Sequence, residues 1–132
     1  MLENKVRLID LPKILDPRGN LTFLQHPEQL PFEMKRVFWI YDVPGGETRG
    51  GHAYKSQCEL IVALSGSFDI VIFDGNETKK YHLNRSYTGL YIPAKVWRHM
   101  ENFSTNSLSL HLSDAAYNAD DYLWDKNNFF DI

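Results

Sequence analysis

Cysteine is almost missing from this chain: Cys58 stands alone in 132 residues. An intrachain disulfide is thereby excluded, and the expected compartment is the reducing cytoplasm. Positive charge is also scarce. Fourteen Lys and Arg against seventeen Asp and Glu give a net charge of −3 with no basic run, so the electrostatic footprint of a nucleic-acid-binding surface is missing. No apolar run approaches the roughly 20 residues of a membrane span. The opening Met1-Leu-Glu-Asn-Lys-Val-Arg-Leu-Ile-Asp10 holds no apolar segment of signal-peptide length. Internal repeats and linkers are not found either, so residues 1–132 are expected to form one domain.

What the chain does have is a globular composition, 43% hydrophobic and 23% charged, with an aromatic share of 14%. Short β-type segments fill it. The first two fall at residues 5–9 and 21–24, separated by Pro12 and the turn Asp16-Pro17-Arg18-Gly19, which puts Arg18 at a strand entrance. Arg36-Val-Phe-Trp-Ile-Tyr-Asp-Val43 reads as a well-buried strand from its β-branched and aromatic content. Further strands are expected near 51–55, 59–65, 68–73, 79–83, 89–93 and 96–103, with a hairpin turn at Asp74-Gly75-Asn76. Ser107-Leu-Ser-Leu-His-Leu112 alternates strictly, which predicts Leu108, Leu110 and Leu112 inward and His111 outward. His26 and His82 are likewise expected at the surface, and Cys58 as packing. Only at the end does the pattern change, where Asn118 is placed to cap a short helix over Ala119–Lys126, with Tyr122 and Trp124 available for docking. The fold class is therefore all-β, an antiparallel sandwich or barrel with a short C-terminal helix.

The chain is organised around Gly46 to Gly66, in which Gly46, His52, Tyr54, Glu59 and Gly66 are spaced Gly-x5-His-x-Tyr-x4-Glu-x6-Gly. This spacing resembles the first motif of the cupins, in which two histidines and a glutamate project from neighbouring strands of a small barrel into one pocket. Tyr54 stands where the second histidine would be. The second cupin motif, Gly-x5-Pro-x-Gly-x2-His-x3-Asn, is matched in part: anchoring on Pro93 puts Lys95 at a glycine position, Arg98 at the histidine and Asn102 at the asparagine.

Arginine offers only donors and cannot ligate a cation. His52 and Glu59 remain, short of the three protein ligands a catalytic zinc or iron site wants, and His99, one residue from Arg98, points to the other strand face. No metal and no cofactor are expected. An anion-seeking pocket fits better, with Arg49 and Arg98 for phosphate or carboxylate and His52 free for proton transfer.

Over almost its whole length the chain resembles the sugar 3,4-ketoisomerases of the FdtA/QdtA type, the WxcM-like cupins. The resemblance is carried by Asp16-Pro-Arg-Gly19, Arg36-Val-Phe-Trp-Ile-Tyr-Asp42, Arg49-Gly-Gly-His-Ala53, Leu64-Ser-Gly-Ser67, Tyr81-His-Leu-Asn-Arg85, Gly89-Leu-Tyr-Ile-Pro93, Val96-Trp-Arg98 and Glu101-Asn-Phe-Ser104. It implies an RmlC-like jelly-roll barrel and a cytoplasmic homodimer with exchanged N-terminal strands. It also implies conversion of dTDP-4-keto-6-deoxyglucose to a 3-keto-6-deoxyhexose destined for transamination. The chain departs from the family at Tyr54, where a histidine is usual. It departs again in the tail, where Asp121-Tyr-Leu-Trp-Asp-Lys126 replaces a run like Asp-Tyr-Ile-Arg-Asp-Tyr.

Moving a ketone from C4 to C3 needs a base that takes a proton from C3 and returns one to C4 through an enediol, and histidine suits that at neutral pH. His52 is the expected base, Tyr54 supports the enediolate oxygens, and Arg49 or Arg98 offsets developing charge. Arg18 and Arg49 are candidates for the diphosphate, while Trp97 and the aromatics at 38–41, Tyr41 among them, are candidates for stacking on thymine. Glu59 is expected to orient His52 or Tyr54 by a hydrogen bond, and Asn102 completes the substrate-binding set. Three other readings suit parts of the same pattern: a 3,5-epimerase, a non-catalytic nucleotide-sugar-binding cupin, and a metal cupin.

Overall fold

The computed structural model describes residues 5–126. With strands labelled in chain order, β1 (Arg7–Asp10), β9 (Thr88–Ile92), β6 (Glu59–Ser65), β11 (Leu108–Ser113) and β4 (Arg36–Tyr41) lie side by side in one five-stranded sheet. The facing sheet runs β12 (Tyr122–Leu123), β5 (Arg49–Tyr54), β10 (Trp97–Glu101), β7 (Phe68–Phe73) and β8 (Thr78–Leu83), and β2 (Lys13–Ile14) pairs with β3 (Leu21–Thr22) in a small ribbon. Successive strands alternate between the two large sheets from β4 to β7 and again from β8 to β12, the connectivity of a jelly roll. The expected all-β barrel is what the chain forms. No helix among the described residues is long and apolar enough to cross a membrane.

Two apolar layers hold it. Between the sheets, Ile61 and Ala63 from β6 meet Phe68, Ile70 and Ile72 from β7, with Leu90, Ile92 and Met100. Behind the first sheet, Leu11, Leu30 and Phe32 from the N-terminal segment cover Leu60, Val62, Tyr91 and Leu112. The centre of that sheet is thus buried on both faces, which is why β6 reads as an unbroken apolar run instead of an alternating one.

The double cover reverses one expectation. Ile61 faces the interior and lies directly opposite His111 in the β6–β11 register, so His111 points into the barrel, 3% exposed, together with Ser109. The leucines occupy the other face, where Leu110 and Leu112 join the outer layer. A second correction concerns β4. It is an edge strand whose inward row is Arg36, Phe38 and Ile40, while Val37, Trp39 and Tyr41 are 43%, 55% and 61% exposed. The third is at the end of the chain. Asn118 does cap a helical turn, its side chain accepting from the Asp120 amide, but the turn is a 3-10 turn of three residues, Ala119–Asp121. The chain then leaves as β12, because pairing with β5 in the register Tyr122↔Tyr54 and Leu123↔Ala53 satisfies the backbone instead.

The glycine and asparagine positions of both motifs have a backbone reason. Gly46 (φ +86°) and Gly66 (φ +66°) lie in the left-handed region, and a Cβ on Gly66 would collide with the Ser104 hydroxyl and with Ser107 Cα at 2.8 Å. In the second motif, Lys95 at the glycine position keeps φ +65° and Asn102 keeps φ +56°. The turns are therefore preserved although the residue at 95 has changed.

Asp121 staples the tail to the barrel. Its Oδ1 accepts from the Ser56 amide (3.0 Å) and hydroxyl (2.7 Å), and its Oδ2 from the Gln57 amide (3.2 Å) and side chain (3.1 Å). Hydrogen bonds to a carboxylate contribute about 1.5–3 kcal/mol, and removing the acceptor leaves buried donors unpaired. Asp121→Ala is expected to lower the unfolding free energy by about 2–3 kcal/mol at unchanged m-value in urea. A loss below about 0.5 kcal/mol would show that the staple is not needed.

Candidate active site

Antiparallel pairing sets the site. His52 on β5 lies directly opposite Arg98 on β10, so both side chains enter the barrel on the same face. Glu59 comes from the facing sheet, and Arg98 Nη1 reaches across to its Oε1 at 2.9 Å, with only 1% of one side chain and 2% of the other exposed. The same guanidinium lies over the Tyr54 ring, 4.9 Å from its centroid. The other carboxylate oxygen, Oε2, is 3.4 Å from His111 Nδ1, and His111 Nε2 lies 2.9 Å from the Ser109 hydroxyl. Phe38 stacks on His111 at 4.5 Å and 10°. Burial works against the charge on Glu59, but His111 and Arg98 outweigh it and hold its pKa down at about 2.

Above this charged floor sits His52, 8% exposed. Burial, then the neighbouring Arg98 charge, pushes its pKa from 6.5 down to about 3, against a smaller opposing pull from Glu59. Its Nδ1 makes no hydrogen bond among the described residues. Tyr54, on the same strand face, meets the imidazole edge-on with centroids 4.6 Å apart and is wholly buried. Its hydroxyl turns away from the cavity to Tyr122 Oη (3.4 Å) and Arg36 Nη2 (3.3 Å). Burial raises its pKa well above the ordinary tyrosine value.

His52 opens onto a cavity of about 190 Å³ lined also by Phe38, Ile40, Arg49, Met100, His111, Tyr122 and Trp124. Arg49 and Ile40 belong as well to a wider groove of about 460 Å³ that continues along Trp39, Tyr41 and Asp42. The small cavity has the base, and the groove has room for a larger group.

The sequence-predicted residues thus separate into groups. His52 and Arg49 share the cavity, and Arg49 and Tyr41 share the groove. Glu59 and Arg98 are sealed beneath His52, spent on each other; Arg98 does not reach a bound anion there, and Glu59 bonds neither His52 nor Tyr54. Trp97 points to the opposite face of β10, packed with Ala53, Phe73 and Leu123. Asn102 follows β10 and donates to Asp69 Oδ2 at 3.1 Å. Arg18 is 89% exposed and paired with Asp16 at 2.8 Å. Among the described residues no three His, Cys, Asp or Glu side chains are grouped to hold a metal ion, and the charge of Glu59 is met by a guanidinium. Phe38, a stacking candidate alongside Tyr41, faces the small cavity instead of the groove. Sequence reasoning missed His111, Tyr122 and Trp124 as cavity residues. The available signal for His111 was the Ser109, His111, Ser113 row, polar on every second residue of a central strand.

Comparison with known proteins agrees with this geometry. The family model described as FdtA, WxcM-like, C-terminal matches residues 4–132. A TDP-4-oxo-6-deoxy-alpha-D-glucose-3,4-oxoisomerase from Aneurinibacillus thermoaerophilus is 37% identical over 97% of this chain and 91% of its own length. A crystal structure of a histidine-to-asparagine variant of the 3,4-ketoisomerase QdtA from Thermoanaerobacterium thermosaccharolyticum, in complex with TDP-4-keto-6-deoxyglucose, superposes with a TM-score of 0.93. It is 34% identical, over 99% of this chain and 94% of that one. The WlaRB TDP-quinovose 3,4-ketoisomerase from Campylobacter jejuni gives a TM-score of 0.92 at 37% identity, covering 96% and 98%. With the two motifs, the jelly roll and these matches in agreement, the chain belongs to the FdtA, WxcM-like family of cupins.

Proposed function

We propose that the protein is a TDP-sugar 3,4-ketoisomerase that acts on TDP-4-keto-6-deoxyglucose, with His52 as the proton-transferring base and no metal or cofactor. The observation that carries the reading is the placement of His52: an imidazole at the wall of a sugar-sized cavity that Arg49 also lines, kept neutral by its surroundings. A neutral imidazole takes the proton from C3. The C3–H electron pair forms the C3–C4 double bond, and the C4 oxygen gains a proton as the C3 oxygen gives one up. The imidazolium then returns its proton to C4, leaving the ketone at C3. Because the site disfavours imidazolium, the return step is downhill, and the abstraction from C3 is uphill by the same amount.

In this reading Arg49 holds the diphosphate where cavity and groove meet, and the nucleoside extends along the groove past Tyr41. Tyr54 acts through its neighbours, fixing the His52 ring and the Tyr122 hydroxyl. Arg98 and Glu59 set the field beneath the base. The enzyme is a cytoplasmic homodimer, and the edge of β4, unpaired among the described residues, supports a contact between copies there.

A proton NMR time course in deuterated water with EDTA tests the reaction. A 3-keto sugar is expected, with deuterium at C4 to the extent that the imidazolium exchanges its proton with solvent before the return, and His52→Asn is expected to reduce turnover by about 10²–10⁴-fold while TDP binding persists. Turnover of His52→Asn within about threefold of the parent would overturn the assignment of the base.

The pH profile offers an independent check. With a folded pKa of about 3, His52 stays neutral above about pH 5, so kcat/KM is expected to show no acid limb near 6.5, and the imidazole carbon shifts of His52 should not titrate between about pH 5 and 8. The linkage has the matching sign: the unfolded chain binds the proton more tightly, so His52 opposes folding increasingly as pH falls below about 6.5. A titration midpoint of about 6–7 for His52 would contradict this.

A further inference from the structure

Tyr122 and Trp124 take no part in the chemistry above, yet both line the cavity that His52 opens onto. Strand alternation puts them on one face of the tail. The β12–β5 register pairs Tyr122 with Tyr54 and Leu123 with Ala53, and Trp124, the residue after the strand, sets its ring against His52. Leu123, on the other face, packs beside Ala53 and Trp97. The two rings stack on each other at 4.9 Å and 11°, and Trp124 stands at 72° to the His52 imidazole with centroids 5.6 Å apart. The mounting is firm. Arg36 Nη2 donates to Tyr122 Oη at 3.2 Å, and the segment is stapled one residue earlier by Asp121. Despite this support, Trp124 remains 65% exposed.

A large indole, backed by a second ring and left open beside the base, has the form of a platform for an apolar ligand face. The reaction proposed above supplies one. In a gluco-configured pyranose the axial hydrogens on C3 and C5 stand on the same face, and in a 6-deoxy sugar the C6 substituent next to C5 is a methyl group. We propose that the hexose ring lies across the His52–Trp124 pair, with C3–H against the imidazole and C5–H and the C6 methyl against the indole. Trp124 is then a substrate-contacting residue that holds the sugar by its apolar face. The proposal rests on the ketoisomerase reading.

The test compares the parent chain with Trp124→Ala and Trp124→Phe, using TDP-4-keto-6-deoxyglucose turnover by NMR and calorimetric titration with TDP alone. For Trp124→Ala we expect KM to rise about tenfold, which is about 1.4 kcal/mol. The change in kcat should stay below about threefold, TDP affinity should remain within about twofold, and Trp124→Phe should restore most of the loss. Binding of the TDP-sugar should also change the indole emission of the parent beyond the change that TDP alone causes through Trp39 in the groove, and Trp124→Phe should abolish that excess. A KM within about twofold of the parent would overturn the platform. So would a fall in kcat at constant KM, which would mean that the indole acts only through His52, and so would equal weakening of TDP and TDP-sugar, which would place it on the nucleotide. Failure of the parent chain itself to isomerise the sugar would instead overturn the ketoisomerase reading.

Discussion

The buried pair between Arg98 and Glu59 is the interaction on which the rest depends. It joins the two sheets through the barrel interior, from β10 to β6, with both charges almost wholly removed from water. Desolvating two ions is costly, and such a pair persists only when geometry and neighbours compensate. Here His111 and the Tyr54 ring provide that company. Losing one partner of a buried pair costs about 3–5 kcal/mol because the other charge is stranded. The pair is therefore a commitment of the fold as much as of the site. Its chemical product is felt one layer up, where the guanidinium adds to burial in keeping His52 uncharged.

Tyr54 fits the same scheme. At a position where its relatives are expected to carry histidine, it brings an aromatic face to the guanidinium and a hydroxyl to Arg36 and Tyr122. A second imidazole still faces the cavity, but it comes from β11 as His111, tied to Glu59 and Ser109. The site thus has one imidazole at its wall and one beneath it against Glu59 and Ser109, drawn from opposite sheets.

The sequence was most legible where chemistry and backbone geometry impose the same spacing. Period-two alternation and the motif intervals were enough to bring His52, Glu59 and Arg98 to one interior, and the left-handed positions at Gly46, Gly66, Lys95 and Asn102 explain why those intervals exist. Alternation divides a strand into two faces without saying which face is the inside. His111 was misplaced for that reason, since the N-terminal segment buries the leucine face as well. Apolar content could not separate an edge from a core strand either, as β4 shows. At the C-terminus the capping signal of Asn118 was read correctly. The helix expected after it was overridden by pairing with β5, and with the helix assignment went the chance of seeing Tyr122 and Trp124 at the cavity.

That pairing divides the active site between two parts of the chain with different constraints. The base and its charged floor sit on β5, β6, β10 and β11, interior strands of the two sheets, where any change disturbs packing on several sides. The opposing wall is carried by a two-residue strand on the edge of a sheet and the residue after it, attached through the Asp121 carboxylate, the Arg36–Tyr122 bond and pairing with β5. A substitution at Trp124 alters the exposed wall of the cavity without touching the Arg98–Glu59 pair or His111 beneath it. The architecture thus leaves the exposed wall free to change at little cost to the interior that carries the charges.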